Sequence, residues 1–120
     1  MRYDTPVKFI RRIAVEDAVL QGKRIRKNDR VWSFISSANR DPEVFPEPDR
    51  FDIARSPNPH VAFGSGIHHC PGVTLARLEG QESFKALAQR FHELSLETEH
   101  LEYYPDNLLR SLVSLPVSWH

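Results

Sequence analysis

A single cysteine stands among the 120 residues, so no internal disulfide can form, and the lone thiol fits a reducing compartment. Net charge is absent as well. Sixteen Lys and Arg balance sixteen Asp and Glu, leaving no field that would recruit nucleic acid or an anionic membrane. The longest apolar run is only a few residues, too short for a membrane-spanning helix. The opening Met1-Arg2-Tyr3-Asp4-Thr5-Pro6 has no apolar segment behind it, so it does not read as a signal peptide. There is no internal repeat and no low-complexity segment. Together these absences predict a soluble cytosolic chain. Its length allows one domain at most, and an apolar share of 40% is enough for a modest core.

What is present reads as α+β. Val7-Lys8-Phe9-Ile10 is β-prone, and Arg12-Ile13-Ala14-Val15 continues it. Ala18-Val19-Leu20, a turn at Gln21-Gly22-Lys23 and then Arg24-Ile25-Arg26 predict a hairpin. A second turn at Asn28-Asp29 leads into Val31-Trp32-Ser33-Phe34-Ile35, where a helix is expected from about Val31 to Ala38. Residues 41–60 hold Pro42, Pro46, Pro48, Pro57 and Pro59. Proline lacks the amide donor that a helix or central strand needs, so this is a meandering coil, with Phe45, Phe51 and Ile53 expected to pin it to the core. So long an irregular stretch is more often functional than idle. A long helix is predicted from Pro71 or Gly72 to about His92, because Leu75, Leu78, Phe84, Leu87 and Phe91 recur at helical spacing. Leu94 to Glu97 and Leu112 to Trp119 read as strands, with a turn at Pro105-Asp106-Asn107.

The chemistry concentrates in Phe63-Gly64-Ser65-Gly66-Ile67-His68-His69-Cys70-Pro71-Gly72. Gly64 and Gly66 permit positive φ and let a flat ligand approach the main chain. Cys70 falls just before a helix start, where the dipole and unpaired amides favour a negative sulfur. Three readings follow from the residues. A buried structural cysteine leaves the glycine-rich loop without a purpose. A zinc site from His68, His69, Cys70 and His60 requires adjacent ligands, which make poor tetrahedral geometry, and no C-x-x-C or H-x-x-x-H spacing accompanies them. Haem ligation accounts for the glycines, the isolated cysteine and the helix together.

Phe63-x-x-Gly66-x-His68-x-Cys70-x-Gly72, followed by Leu75-Ala76-Arg77-Leu78-Glu79, resembles the haem-binding signature of bacterial-type cytochromes P-450. The resemblance extends over nearly the whole chain. It implies that Cys70 binds the iron of haem b as its axial thiolate, that His68 contacts a haem propionate, and that Phe63 packs beside the haem and sulfur. Amides after Cys70 would donate to the thiolate. Pro71 has none, so Gly72 and its successors would do so. Arg12, in Phe9-Ile10-Arg11-Arg12-Ile13, resembles the strand arginine of the family that holds a propionate. Arg11, its neighbour on the opposite strand face, would not reach. Phe45-Pro46-Glu47-Pro48-Asp49-Arg50-Phe51 resembles the family's meander, with Arg50 in an ion network to the arginine of a Glu-x-x-Arg pair. Arg2 stands for that arginine. Val7, Phe9, Leu112 and Val113 fall where the family lines its substrate pocket, though ordinary core explains them equally. Ser111 stands where the family usually has glycine.

The resemblance implies that residues 1–120 are the C-terminal haem-binding part of this fold: short β-hairpins, a proline-rich meander, the cysteine loop, one long helix and a C-terminal hairpin. The N-terminal part and the central oxygen-activating helix have no counterpart in the sequence. The expected function is that of a monooxygenase inserting one oxygen atom from O2 into a small apolar substrate, with electrons from a ferredoxin- or reductase-type donor. No residue of the chain itself is expected to be catalytic, and alone it is expected to be inactive. Alternatives are a non-catalytic haem-binding remnant or sensor, and a thiol-based redox or interaction protein without haem.

Overall fold

Alternating bulky residues on two segments zip the first ribbon together. In the computed structural model, which describes residues 1–119, β1 (Phe9–Ile13) pairs antiparallel with β4 (Arg30–Phe34) in the register Phe9 with Phe34, Arg11 with Trp32 and Ile13 with Arg30. Phe9 is buried against the rings of Trp32 and Phe34, with centroids 4.8 and 5.6 Å away. The helix expected from Val31 is therefore a strand as far as Phe34, and only α1 (Ile35–Ala38) is helical. Cross-strand aromatic and β-branched pairs outweigh the weak helical preference of a short apolar run. Phe9 serves as core in this ribbon. Between these strands, β2 (Ala18–Leu20) and β3 (Lys23–Ile25) form the expected hairpin. Its turn has positive φ at both Gln21 and Gly22, the twist that two-residue hairpin loops favour.

The chain divides into two compact units. The first comprises Met1–Ala62 with Asn107–Arg110, and Val7 bridges Leu109 within it. The meander belongs to this unit. Of its three expected anchors only Phe45 is buried, at 2% exposure, whereas Phe51 lies edge-on to Tyr3 at the surface and Ile53 is 90% exposed. Prolines deny the meander a ladder partner, so side chains satisfy its carbonyls instead.

The second unit comprises Phe63–Asp106 and the residues from Ser111 onward. Its helix α2 (Val73–Arg90) starts and ends within two residues of the expected bounds. β5 (Leu94–Leu96) pairs antiparallel with β6 (Val117–Trp119). The long final strand expected from Leu112 is shorter, and Leu112 makes only an isolated bridge to Tyr103. No residue of α2 is buried, so the predicted apolar stripe lies open, with Phe84 at 74% exposure. Among the described residues no helix is long and apolar enough to cross a membrane.

Candidate cysteine-loop site

The loop from Phe63 to Gly72 closes on itself before α2 begins. The Cys70 amide donates to the Phe63 carbonyl at 2.8 Å, and a single 3-10 turn at Gly66–His68 fills the span. Gly64 has φ +74°, and a Cβ there would stand 2.8 Å from the His68 carbonyl oxygen, so both conformation and space demand glycine. Gly66 also has positive φ, at +61°, but its missing Cβ would point into open space. The two adjacent histidines have different surroundings. His69 Nδ1 lies 3.4 Å from the Gly64 carbonyl, to which it donates when that nitrogen is protonated. His68 is exposed, and among the described residues its side chain has no hydrogen-bond partner. Phe63 is tied to α2 by the Arg77 guanidinium, 5.8 Å from its ring centroid.

Cys70 is half-buried and free. Its carbonyl accepts from the Val73 amide at 3.3 Å, and the first full helical bond runs from Ala76 to Gly72 at 2.9 Å. The amides of Gly72, Thr74 and Leu75 thus precede any intrahelical acceptor. A Cβ on Gly72 would lie 3.8 Å from Cys70 Sγ, which puts the sulfur against this first turn of α2. Among the described residues no three His, Cys, Asp or Glu side chains gather, so a protein-built zinc cage has no donor set. One soft donor on an open glycine loop, backed by free amides and the positive end of a helix, fits the axial ligand of haem iron. Phe63, Gly64, Gly66, His68, Cys70 and Gly72 come together here. Arg12 lies in the first unit.

Within that unit Arg11 and Arg12 diverge as strand neighbours should. Arg11 lies over the rings of Phe9 and Trp32, at 5.8 and 5.2 Å, while Arg12 is exposed and donates from Nη1 to the Arg11 carbonyl at 2.8 Å. Arg2 is only 5% exposed. Its Nη1 donates to the carbonyls of Asn39 and Pro48, both at 2.9 Å, its Nη2 to that of Arg50 at 3.2 Å, and its guanidinium lies 5.1 Å over the Phe45 ring. Burial pushes its pKa down, and the neighbouring Arg55 and Arg40 push it further. The network role expected of the Arg50 side chain is corrected by this geometry. That side chain is exposed beside Glu47, and only its backbone carbonyl meets Arg2. Arg55, half-buried, is the second arginine that serves the meander's carbonyls instead. It donates to the carbonyls of Pro46 and Glu47, with its Nε buried and unpaired among the described residues. Asn39, fully buried, donates to Thr5 Oγ1 at 3.0 Å and accepts from the Val61 amide at 2.8 Å. Sequence reasoning missed Arg55 and Asn39. The one available signal was a surplus of carbonyls in a proline-rich segment, which calls for side-chain donors.

Residues 1–118 match the family described as Cytochrome P450. The chain is 44% identical over 119 residues to the biotin biosynthesis cytochrome P450 of Bacillus subtilis, covering 99% of this chain and 30% of that protein. Polyketide biosynthesis cytochrome P450 PksS of the same organism is 46% identical over 121 residues, covering 98% and 30%. Among solved structures, P450BioI in complex with an acyl carrier protein ligated to hexadec-9Z-enoic acid matches with a TM-score of 0.96 at 44% identity, covering 99% of this chain and 31% of that one. The chain spans about a third of the length of the relatives it matches. With the cysteine loop inside a match that takes in all but the last two residues, the chain belongs to the cytochrome P450 family.

Proposed function

We propose that this chain is the haem-thiolate-binding, C-terminal part of a cytochrome P450 monooxygenase that inserts one oxygen atom from O2 into an apolar organic substrate. The observation that carries the reading is Cys70 itself: a free sulfur against the first turn of α2, at the end of a loop closed by the Cys70–Phe63 backbone bond. When bound, haem b supplies the oxygen and electron chemistry, tuned by the donating thiolate. The chain's own residues hold and orient it. Cys70 ligates the iron. The amides of Gly72 and its successors stabilise the sulfur's charge, and Phe63 packs beside it. Gly64 lets the loop close on the His68 carbonyl, and Gly66, with open space at its Cβ position, leaves room for a flat ligand. His68, with no hydrogen-bond partner among the described residues, and Arg12, exposed on its strand, hold the haem carboxylates.

Residues 1–120 are on this reading one part of a larger catalytic domain, with oxygen protonation carried out by residues outside it. Electrons come from a ferredoxin- or reductase-type donor, and the compartment is the cytoplasm. No nucleic acid or membrane partner enters the reading. The relatives named for biotin and polyketide biosynthesis, and the one solved with a fatty-acyl carrier protein, support an apolar acyl or polyketide chain as the substrate class.

The test is haem reconstitution of residues 1–120. A ferrous carbonyl complex with the red-shifted Soret band of thiolate ligation is expected, and it should vanish in Cys70→Ser. Arg12→Ala should weaken haem retention by one to two decades, corresponding to roughly 1.5–3 kcal/mol for a charge-assisted hydrogen bond, while Arg11→Ala should not. Survival of the thiolate band in Cys70→Ser would overturn the assignment.

A further inference from the structure

We propose that a cavity at the end of the β1–β4 ribbon is a second ligand site, one that takes the phosphate monoester of a flat or apolar molecule. The cavity measures about 400 Å³ and is lined by Arg11, Arg12, Ile13, Arg30 and Trp32. Its volume falls within the range of small-molecule sites. Charge is the telling feature. Among the described residues Arg11, Arg12 and Arg30 hold no carboxylate, as is also true of several other arginines, and what sets these three apart is that they gather around one cavity.

The ribbon register puts two of these arginines on one face, where the Arg11 guanidinium rests over the Phe9 and Trp32 rings. Arg11 stands opposite Trp32 and Ile13 opposite Arg30, so Arg11 and Arg30 are diagonal neighbours on one face. Diagonal positions lie about 7–8 Å apart, within reach of long side chains, and like charges so placed repel. A dianion between them converts that repulsion into two charge-assisted contacts, and a guanidinium fork matches phosphate oxygens two at a time. Two unpaired positive charges suit a phosphate monoester better than a singly charged carboxylate. Ile13, which is exposed, and the open part of Trp32 supply apolar surface beside the anion for the body of the ligand.

Arg12 is not part of this pair. It alternates to the opposite strand face, and its Nη1 is turned to the Arg11 carbonyl. Arg12 lines the edge of the cavity without joining the pair, so its haem carboxylate role and the anion site are told apart by comparing variants.

The experiment uses haem-free residues 1–120 carrying Trp119→Phe, so that Trp32 alone reports by fluorescence. Trp119 packs on Phe91 in the second unit, where phenylalanine preserves a ring contact. Phenyl phosphate is titrated in 150 mM NaCl, with inorganic phosphate, benzoate and phenol as separate arms. Saturable binding of phenyl phosphate is expected, tighter than either inorganic phosphate or benzoate, with phenol silent. Arg11→Gln and Arg30→Gln should each weaken it at least tenfold, Arg30→Lys and Arg12→Gln less, and Arg24→Gln, outside the cavity, should leave it unchanged. Circular dichroism confirms that each variant folds. Three results overturn the proposal: no saturable signal with phenyl phosphate, equal binding of phenol, or loss in Arg12→Gln with retention in Arg30→Gln. The last would assign the cavity to the haem carboxylates.

Discussion

Replacing Arg2 with alanine should be among the most damaging single changes in the first unit, and replacing Arg50 should be nearly silent. Arg2 donates three hydrogen bonds to backbone carbonyls that have no ladder partner, at Asn39, Pro48 and Arg50. A hydrogen bond from a charged donor contributes about 1.5–3 kcal/mol, and orphaned buried carbonyls add their own desolvation cost. Water entering the gap would recover part of this, and loss of the stacking on Phe45 adds about 1 kcal/mol. The expected total is on the order of 4 kcal/mol, a large share of the 5–15 kcal/mol typical of a small domain. Arg2→Lys keeps the charge but loses the planar fork, so it should cost about half as much. Arg50 contributes its carbonyl, which alanine retains, while its exposed side chain makes only a 3.3 Å pair with Glu47. Arg50→Ala should therefore cost about 0.5 kcal/mol or less. Urea unfolding followed by circular dichroism reads these differences as shifts in midpoint at constant slope. A cost for Arg50→Ala equal to that of Arg2→Ala would refute the reasoning, as would a cost for Arg2→Ala below about 1 kcal/mol.

Three further outcomes are expected. Gly64→Ala should destabilise by roughly 2 kcal/mol or more, through positive φ and contact with the His68 carbonyl, whereas Gly80→Ala, mid-helix with nothing near its Cβ position, should stabilise by about 0.5–1 kcal/mol; thermal midpoints of the two variants decide it. Asp17 is held below its ordinary value of 3.8 by the Arg24 side chain and then by the Lys27 amide. Its contribution to the β2–β3 hairpin is therefore complete above that ordinary value and is lost as pH falls through the lowered one, so hairpin amide shifts by NMR should change below about pH 4, and Asp17→Asn should abolish that change. Phe84→Glu, at an exposed position of α2, should leave the helical circular dichroism unchanged and reduce self-association in sedimentation runs; unchanged association would show that the α2 face is not sticky.

Local chemistry was legible in the sequence wherever it acts over a few residues. Gln21-Gly22 placed a hairpin because glycine accepts the positive φ that the turn needs, and the Leu75–Leu87 spacing placed α2 because side-chain period follows backbone period. The cysteine loop could be read for the same reason, its two positive-φ glycines standing beside the helix start. Val31-Trp32-Ser33-Phe34 was misread as helix because a short apolar run fits either element, and its partner β1 lies about twenty residues away. Arg55 was invisible, and Arg50 was given its place, for a related reason. Which guanidinium turns inward depends on the path of the meander, and two arginines five residues apart in a proline-rich coil carry no period that separates them.

The apolar stripe of α2 makes the strongest contrast between pattern and packing. The only buried apolar side chains among the described residues are Phe9, Ile35 and Phe45, all in the first unit, and α2 buries none. Helices in proteins draw most of their stability from packing an apolar face, and burial of a large apolar side chain is worth about 1.5–3 kcal/mol that this exposed stripe does not gain among the described residues. The described residues leave the stripe uncovered, and on the reading proposed above it packs against other parts of a larger domain, the relatives being about three times as long. The cysteine loop is differently secured. Its shape rests on the Cys70–Phe63 backbone bond, the His69–Gly64 contact, the steric fit at Gly64 and the Arg77–Phe63 stacking, none of which draws on a hydrophobic core. A loop held mainly by its own backbone, with one cation–ring contact to α2, keeps its geometry without help from a core, which is what the ligand role proposed for Cys70 requires.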